Sequence, residues 1–467
     1  ARPQQAPAVF TERLKIGEKL GFGTFSTANN VVYQFKSLYY LFFLTNVLKI
    51  DILIAGTVLA IGTVWDAVND PLVGFWAVNH RFKGGEQVRP FALWAALPWA
   101  ATVVLLFSDF GLSDFVTVAV ALIIYIVFEL FNTFVGIPYN SMAGLATNVD
   151  ADRRSLNVFR NLGGCLGSGI GAVACLPLLR LFGALDGKGN LLEGSSARGF
   201  LSVAVIMGLV CITGCFIHYF TTRERVKPLA GEAEERLKAK DVVRMLFRSR
   251  AWVMNTFYII CYGVINLLLM SCITYYATYV FHSTAAATPI QAAYLAASIV
   301  SSFFVGIIDK KLGRKKTMIL GALVFIAGTV WFIIDPFSTY AIYVDAIGVG
   351  IAVTITFVMF NTNRNNIVDL IEWKDGRRLD SMVSTADNLA SKLATAGATQ
   401  LIAISLSVSG FDASLVDQPE SAIKAINFML GWAPCITAVI MLIVVCFHTV
   451  EADLKKMLAE KTGGFRA

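Results

Sequence analysis

The amino-acid sequence predicts an all-α membrane protein, with twelve transmembrane helices arranged as two six-helix halves. Three observations support this expectation. The 467 residues are 56% hydrophobic and only 15% charged, with a mean hydropathy of +0.65, a balance foreign to soluble globular chains. Apolar residues gather into twelve segments, most of them near the roughly 20 residues that a bilayer crossing needs. The longest polar stretch, residues 221–250, falls between the sixth segment and the seventh. Because the segments lack the two-residue alternation of barrel strands, helices are the expected spanning structure.

The first segment, residues 23–46, carries Ser26, Thr27, Asn29, Asn30, Gln34 and Lys36, a polarity that suits a wet cavity. The second, 52–79, is apolar except for Trp65-Asp66-Ala67-Val68-Asn69-Asp70-Pro71. Segments three to six cover 90–107, 114–145, 157–183 and 199–220. The linker that follows holds nine Lys or Arg and five Asp or Glu, and Leu229 to Val242 within it can form a helix on the cytoplasmic surface. Segments seven to twelve lie at 251–280, 289–308, 317–334, 338–363, 383–408 and 421–448. The expected division is an N-terminal half over 1–220, a linker over 221–250, and a C-terminal half with its tail over 251–467. Halves of this kind place a binding cavity between them.

Charge fixes the expected topology. Lys and Arg concentrate in alternate loops: Arg81, Lys83 and Arg89; Arg153 and Arg154; Lys310, Lys311, Arg314, Lys315 and Lys316; and Arg364, Lys374, Arg377 and Arg378. The intervening loops carry mainly Asp109, Asp114, Asp335, Asp412, Asp417 and Glu420. By the positive-inside rule both termini are cytoplasmic, in agreement with an even number of spans. The net charge of +7 therefore belongs to membrane topology and is not a nucleic-acid signal. All eight cysteines fall within expected spans and read as small core residues without disulfides. The polar start Ala-Arg-Pro-Gln-Gln-Ala-Pro is unlike a signal peptide, so the first span is expected to direct insertion. An enzyme or a sensor is disfavoured. No phosphate-cradling Gly-rich loop, metal-ligand spacing or nucleophile motif occurs, no cofactor is implied, and no sizeable soluble domain is left for signalling output.

A carboxylate near the bilayer centre costs at least about 2.5 kcal/mol. Asp66 and Asp70 stand there at i and i+4, with Asn69 at i+3, so their oxygens share one helix face. Hard oxygen donors gathered in a low-dielectric interior suit a small cation or a proton. The alternative is a polar pair that lines a water-filled cavity or bonds a neighbouring helix.

Two further passages speak to family. Gly306-Ile-Ile-Asp309-Lys-Lys-Leu-Gly313-Arg314-Lys315-Lys316, between spans eight and nine, resembles the loop signature of the major facilitator superfamily. Trp65 to Pro71 resembles the hallmark of its glycoside–pentoside–hexuronide:cation symporters, the melibiose permease group. Gly21-Phe-Gly-Thr-Phe25, Gly136-Ile-Pro-Tyr-Asn-Ser141 and Asp369-Leu-Ile-Glu372-Trp-Lys-Asp-Gly-Arg377 are similar to further segments of that group. The resemblance implies that Asp66, Asn69 and Asp70 hold the coupling cation with the help of a span-four threonine, Thr133. All four donors are present, which fits Na⁺, with H⁺ or Li⁺ as alternatives at the same carboxylates.

The sugar side departs from the galactoside members. Their span-one aspartate is absent from Ser26-Thr27-Ala28-Asn29-Asn30, their span-four aspartate is Gly136, and their sugar-stacking tryptophan corresponds to Asn140. Arg160 and Lys392 match the group's span-five arginine and span-eleven lysine, and Lys36 is a further intramembrane charge. Cations retained where carboxylates are lost imply an anionic substrate, such as a hexuronide, a glucuronide or a sulfonated sugar, which an arginine can clamp through two parallel bonds. Asn29, Tyr33, Tyr139 and Asn140 are candidates for hydroxyl contacts and sugar stacking. Each cation also has a structural alternative: Arg160 or Lys392 could pair with a span-two aspartate, Lys392 with Asp387, and Lys36 with Glu129. Asp345, and the group Arg364, Asp369, Glu372, Arg377 and Arg378, are readable as charge gates or as solvated positions. The expected activity is cation-coupled symport by a monomer in a bacterial inner membrane. A neutral-glycoside symporter and a sodium-dependent lysophospholipid transporter of the same fold are the competing expectations.

Overall fold

A computed structural model describes residues 13–80, 82, 85–185, 192, 194–226, 239–282, 286–411 and 417–463. Arg81, Lys83, Asp412 and residues 1–7 and 229–238, all used in the sequence reading, lie outside that set. Helix α1 (Ile16–Phe42) runs into a π-helical turn (Phe43–Val47), followed by α2 (Ile52–Asn79), α3 (Arg89–Trp94), α4 (Ala96–Leu106), α5 (Asp114–Ala146), α6 (Asp150–Leu181) and α7 (Ser196–Thr221). After α8 (Ala239–Arg248) come α9 (Arg250–Tyr279), α10 (Ala287–Leu312), α11 (Arg314–Ile334), α12 (Thr339–Asp375), α13 (Asp380–Val408), α14 (Glu420–Leu430), α15 (Trp432–Cys446) and α16 (Val450–Gly463). Among the described residues nine helical stretches are long and apolar enough to cross a membrane.

Every expected span has a helical counterpart, but two of them are broken. The third is split between α3 and α4, where Pro98 cannot donate to the Trp94 carbonyl one turn back. The twelfth is split at Gly431 between α14 and α15, where Pro434 does the same to Leu430. The expected linker helix is described only from Ala239 onward, as α8. Caps mark several starts: the Asp51 carboxylate accepts from the Leu53 and Ile54 N–H groups at the head of α2, and Ser249 accepts from Trp252 at the head of α9.

The chain divides into two compact units, Ala1–Leu237 with Leu379–Thr385, and Lys238–Arg378 with Ala386–Ala467. Each has its own apolar core. In the first, Phe22, Phe25, Phe35, Tyr40, Trp99, Phe107 and Phe200 are nearly inaccessible. Helices α1 and α6 approach backbone to backbone there. A Cβ at Gly163 would collide with the Gly23 carbonyl oxygen, and one at Gly167 with that of Thr27. Glycine at these two positions is thus what lets the polar face of α1 lie against α6. In the second, Leu268, Ile273, Tyr276, Phe325, Phe332 and Ile355 are buried. Five cysteines are buried, whereas Cys446 ends α15 exposed, against the expectation that all eight serve as core residues.

Beyond the end of α7, Glu224 accepts backbone N–H bonds from Gln87, Val88 and Arg89 at 2.6–2.8 Å, closing the start of α3. Burial pushes its carboxyl above the usual range despite those donors.

Candidate functional site

The 3–4 residue spacing of Asp66, Asn69 and Asp70 turns them to one side of α2, and α5 lies against that side. Thr133 of α5 stands among them. Its hydroxyl is 3.1 Å from Asp70 Oδ1 and 3.5 Å from Asp66 Oδ1. One hydroxyl proton serves a single acceptor at a time, so two carboxylates converge on one donor. The Asn69 amide donates to Thr133 Oγ1 at 2.8 Å and to the Glu129 carbonyl at 3.2 Å. Both bonds fix its rotamer and leave Asn69 Oδ1 buried with no hydrogen-bond partner. A buried orphan acceptor beside two carboxylates presents oxygen donors of the kind that suit a small cation. Pro71, next in sequence, has no N–H for the Ala67 carbonyl, which adds a backbone oxygen on the same stretch of α2. Asn69, Asp70 and Thr133 are all at most 4% exposed.

Helix α5 carries more than Thr133. Glu129, Thr133, Gly136 and Asn140 fall at i, i+4, i+7 and i+11, one stripe of the helix. Asn140 is about 10 Å along the axis from Thr133 and about 20° from it in projection. There its Oδ1 accepts from Arg160 Nη2 of α6 at 2.6 Å, and the guanidinium lies 5.4 Å from the Tyr139 ring. Gly136 sits between the two polar groups. A Cβ added at this glycine would meet no atom within 4 Å, so the stripe borders open space between the oxygen cluster and the arginine.

Lys36 of α1 forms an ion pair with Glu129 at 2.6 Å, the two side chains being 13% and 5% exposed. Its ammonium also lies 5.2–5.3 Å from the rings of Tyr33, Tyr125 and Phe128. Tyr139, a candidate for sugar stacking, is instead buried against Phe22, Phe25 and His218. Its hydroxyl is committed to the Phe22 carbonyl at 2.8 Å, a consequence of the apolar environment demanding a partner for any buried O–H. Tyr33 is 56% exposed, Asn29 is half-buried on α1, and Lys392 is half-buried on α13 in the second unit.

Two groups open to interpretation as solvated positions are not solvated. Asp345 is fully buried and accepts from the Thr329 hydroxyl at 2.6 Å. Arg378 is buried and bridges Asp369 at 2.9 Å and Glu372 at 2.7 Å. Two features beside the candidate site escape sequence spacing: the Glu129 carbonyl that fixes Asn69, and the vacant side of Gly136.

The chain is 27% identical over 465 residues to an isoprimeverose transporter of Lactiplantibacillus pentosus, covering 98% of this chain and 93% of the relative. It is 25% identical over 469 residues to the inner membrane symporter YicJ of Escherichia coli (strain K12), covering 98% and 97%. A glucuronide carrier protein homolog of the same organism is 23% identical over 457 residues, covering 94% of each chain. Among solved structures, the major facilitator superfamily transporter FucP in an outward conformation superposes with a TM-score of 0.66 at 10% identity, covering 93% of this chain and 98% of its own. That similarity establishes the all-α major facilitator fold. The family model of MFS/sugar transport proteins matches residues 21–452, nearly the full length, and the chain accordingly belongs to that transporter family.

Proposed function

We propose that the protein is a sugar symporter driven by a cation, with Na⁺ at Asp66, Asn69, Asp70 and Thr133 and an anionic sugar or glycoside at Arg160 and Asn140. The observation that carries this is the α5 stripe, which puts an oxygen cluster, an open position and an arginine in one line. Two carboxylates, an amide oxygen and a hydroxyl suit Na⁺. A proton would need only the carboxylates, which makes H⁺ the second reading. Arg160, whose Nη2 donates to Asn140 Oδ1, carries the planar fork of donors that a carboxylate or sulfonate accepts from in two parallel bonds. The relatives named for isoprimeverose and for a glucuronide support a sugar of some kind. Asn29 and Tyr33 on α1 and Lys392 on α13 are further candidates for the substrate. Lys36 is assigned to Glu129 instead.

In the proposed cycle the cation neutralises Asp66 and Asp70 and raises affinity for the sugar, and by linkage the sugar raises cation affinity equally. The two six-helix halves then alternate access to the site. The charge asymmetry of the loops supports cytoplasmic termini, and the relative named as an inner membrane symporter supports insertion in a bacterial inner membrane, where we take the protein to act as a monomer.

Thermal stabilisation of the purified protein by neutral and anionic sugars, in Na⁺ and in K⁺, tests this reading. Stabilisation by a uronide or sulfonated sugar in Na⁺ alone is the expected result. Stabilisation by neutral glycosides would keep the cation site and reduce Arg160 to a structural partner of Asn140. Sodium-dependent stabilisation by lysophospholipid with silence from every sugar would overturn the sugar assignment.

A further inference from the structure

The second unit carries an apolar groove that the transport reading does not use. Eleven residues line it: on α10 from Ala293 to Ile308, and on α12 Ile347, Ile351 and Ile355, around a volume of about 470 Å³. Its origin is local. Ala293, Ala296, Ala297 and Ser301 are small and leave a trough on α10, while Val300, Phe304 and Ile347, at 57%, 54% and 43% exposure, stand up as its rims. Ser301 is the one lining residue with a polar side chain.

The groove has a direction. From Ala293 to Ile308 is about 22 Å at 1.5 Å per residue, longer than the roughly 15 Å of one hydrocarbon leaflet. Beyond Ile308 the same stripe of α10 reaches Lys311, seven residues after Phe304 and so about 20° from it in projection. Lys310 and Lys316 flank that end, and all three are exposed. Asp309, the carboxylate nearest in sequence, is turned inward and buried. An apolar trough long enough for an acyl chain of one leaflet, ending in ammonium groups, complements one ligand type in charge and shape.

We propose that this groove is a binding site for an anionic phospholipid, with one acyl chain along α10 and α12 and the phosphate on Lys310, Lys311 and Lys316. The site lies wholly within the second unit and is independent of the cation and sugar assignments. A headgroup bearing net negative charge is what separates it from ordinary contact with bilayer lipid, since every lipid offers the acyl chain.

The test uses the full-length protein, delipidated in a neutral detergent and titrated with phosphatidylglycerol or phosphatidylcholine of matched chains, with bound lipid read by native mass spectrometry. The expected result is about a tenfold preference for phosphatidylglycerol. Lys310→Gln/Lys311→Gln/Lys316→Gln should abolish the preference while retaining weak binding of both lipids. Ala296→Trp, in the trough, should weaken both, and Val300→Phe, which extends an exposed rim over the trough, repeats that arm should Ala296→Trp fold poorly. Equal binding of the two lipids by the wild type, or a preference that survives the lysine replacements, overturns the headgroup assignment. Binding that survives both groove-filling variants overturns the groove. Lipid-free dimers that Ala296→Trp dissolves would assign the face to a second copy of the chain and overturn the proposal.

Discussion

Separating Lys36 from Glu129 perturbs the candidate site without touching any proposed ligand side chain. The pair is 2.6 Å apart, and both side chains are largely enclosed. At an effective dielectric of about 20, attraction at that distance is roughly 6 kcal/mol. Desolvation of two ions, at several kcal/mol each, consumes most of it. The net value of the pair over an apolar pair is therefore small, but either ion alone keeps its desolvation penalty and loses its partner. Lys36→Met and Glu129→Gln should each destabilise the protein by about 3–5 kcal/mol. The double variant should lie within about 1–2 kcal/mol of wild type, giving an interaction energy of at least about 3 kcal/mol. Denaturant unfolding in a fixed detergent, followed by tryptophan fluorescence, reads all four corners of the cycle. The main chain of Glu129 is unchanged by these substitutions, so its carbonyl still accepts from Asn69, and the double variant should bind Na⁺ within about threefold of wild type (less than 1 kcal/mol). Single variants as stable as wild type would refute the buried-pair reasoning, as would a double variant that shows the sum of the two losses.

Other expectations follow from the same geometry. Asp66→Asn and Asp70→Asn should each abolish Na⁺-driven accumulation of sugar in vesicles; full retention of cation-dependent uptake would remove the residue from the cation site. Gly136→Asp should fold, because nothing stands within 4 Å of the new Cβ. One turn from Asn140, its carboxylate should compete for Arg160 and lower affinity for an anionic sugar about 10- to 150-fold, the equivalent of a charged hydrogen bond of about 1.5–3 kcal/mol. Competition binding with neutral and acidic sugars checks this. Arg378→Ala removes the cation that bridges Asp369 and Glu372 and should cost about 3–5 kcal/mol in the same unfolding assay. Glu224→Gln replaces one of two carboxylate oxygens that together accept three backbone N–H groups, and a loss of about 1–3 kcal/mol is expected.

The fold was legible because the bilayer imposes it: apolar length, charge alternation and a polar linker each have one physical cause. The convergence of Asp66, Asn69 and Asp70 on one face was legible for a related reason. Carboxylates at i and i+4 in an apolar helix are too costly to be incidental, and their spacing states which face they share. Long-range partners were not legible in that way. Nothing in the local sequence fixes whether Lys36 meets Glu129 or a ligand, because the answer depends on the rotation of α1 against α5. Tyr139 shows the converse error. Its place beside Asn140 and Pro138 suggests a stacking surface, but the ring packs on Phe22, Phe25 and His218, with the Arg160 guanidinium 5.4 Å from it. The breaks after Trp94 and Leu430 were readable in principle from Pro98 and Pro434, each of which deprives a carbonyl one turn back.

The α5 stripe also bears on how one scaffold could serve different sugars with one ion site. Thr133 and Asn140 are fixed by different neighbours, α2 and α6, and each has its partners within bonding distance. A Cβ at Gly136 between them would meet nothing within 4 Å. A substitution there alters the space that a ligand would occupy without displacing Thr133 or Asn140, since neither set of bonds involves Gly136. Substrate preference can then change at one position while the oxygen cluster stays intact. Coupling would survive the change only if α5 moves as a unit. Pro138 makes that a real condition, because it leaves the Phe134 carbonyl without its helical donor between the two sites. A Pro138→Ala variant restores that donor and stiffens the segment. If α5 carries the coupling as a rigid body, sugar-enhanced Na⁺ binding should persist or strengthen in that variant; its loss, with each ligand still bound alone, would mean that the flexibility at Pro138 is itself the coupling element.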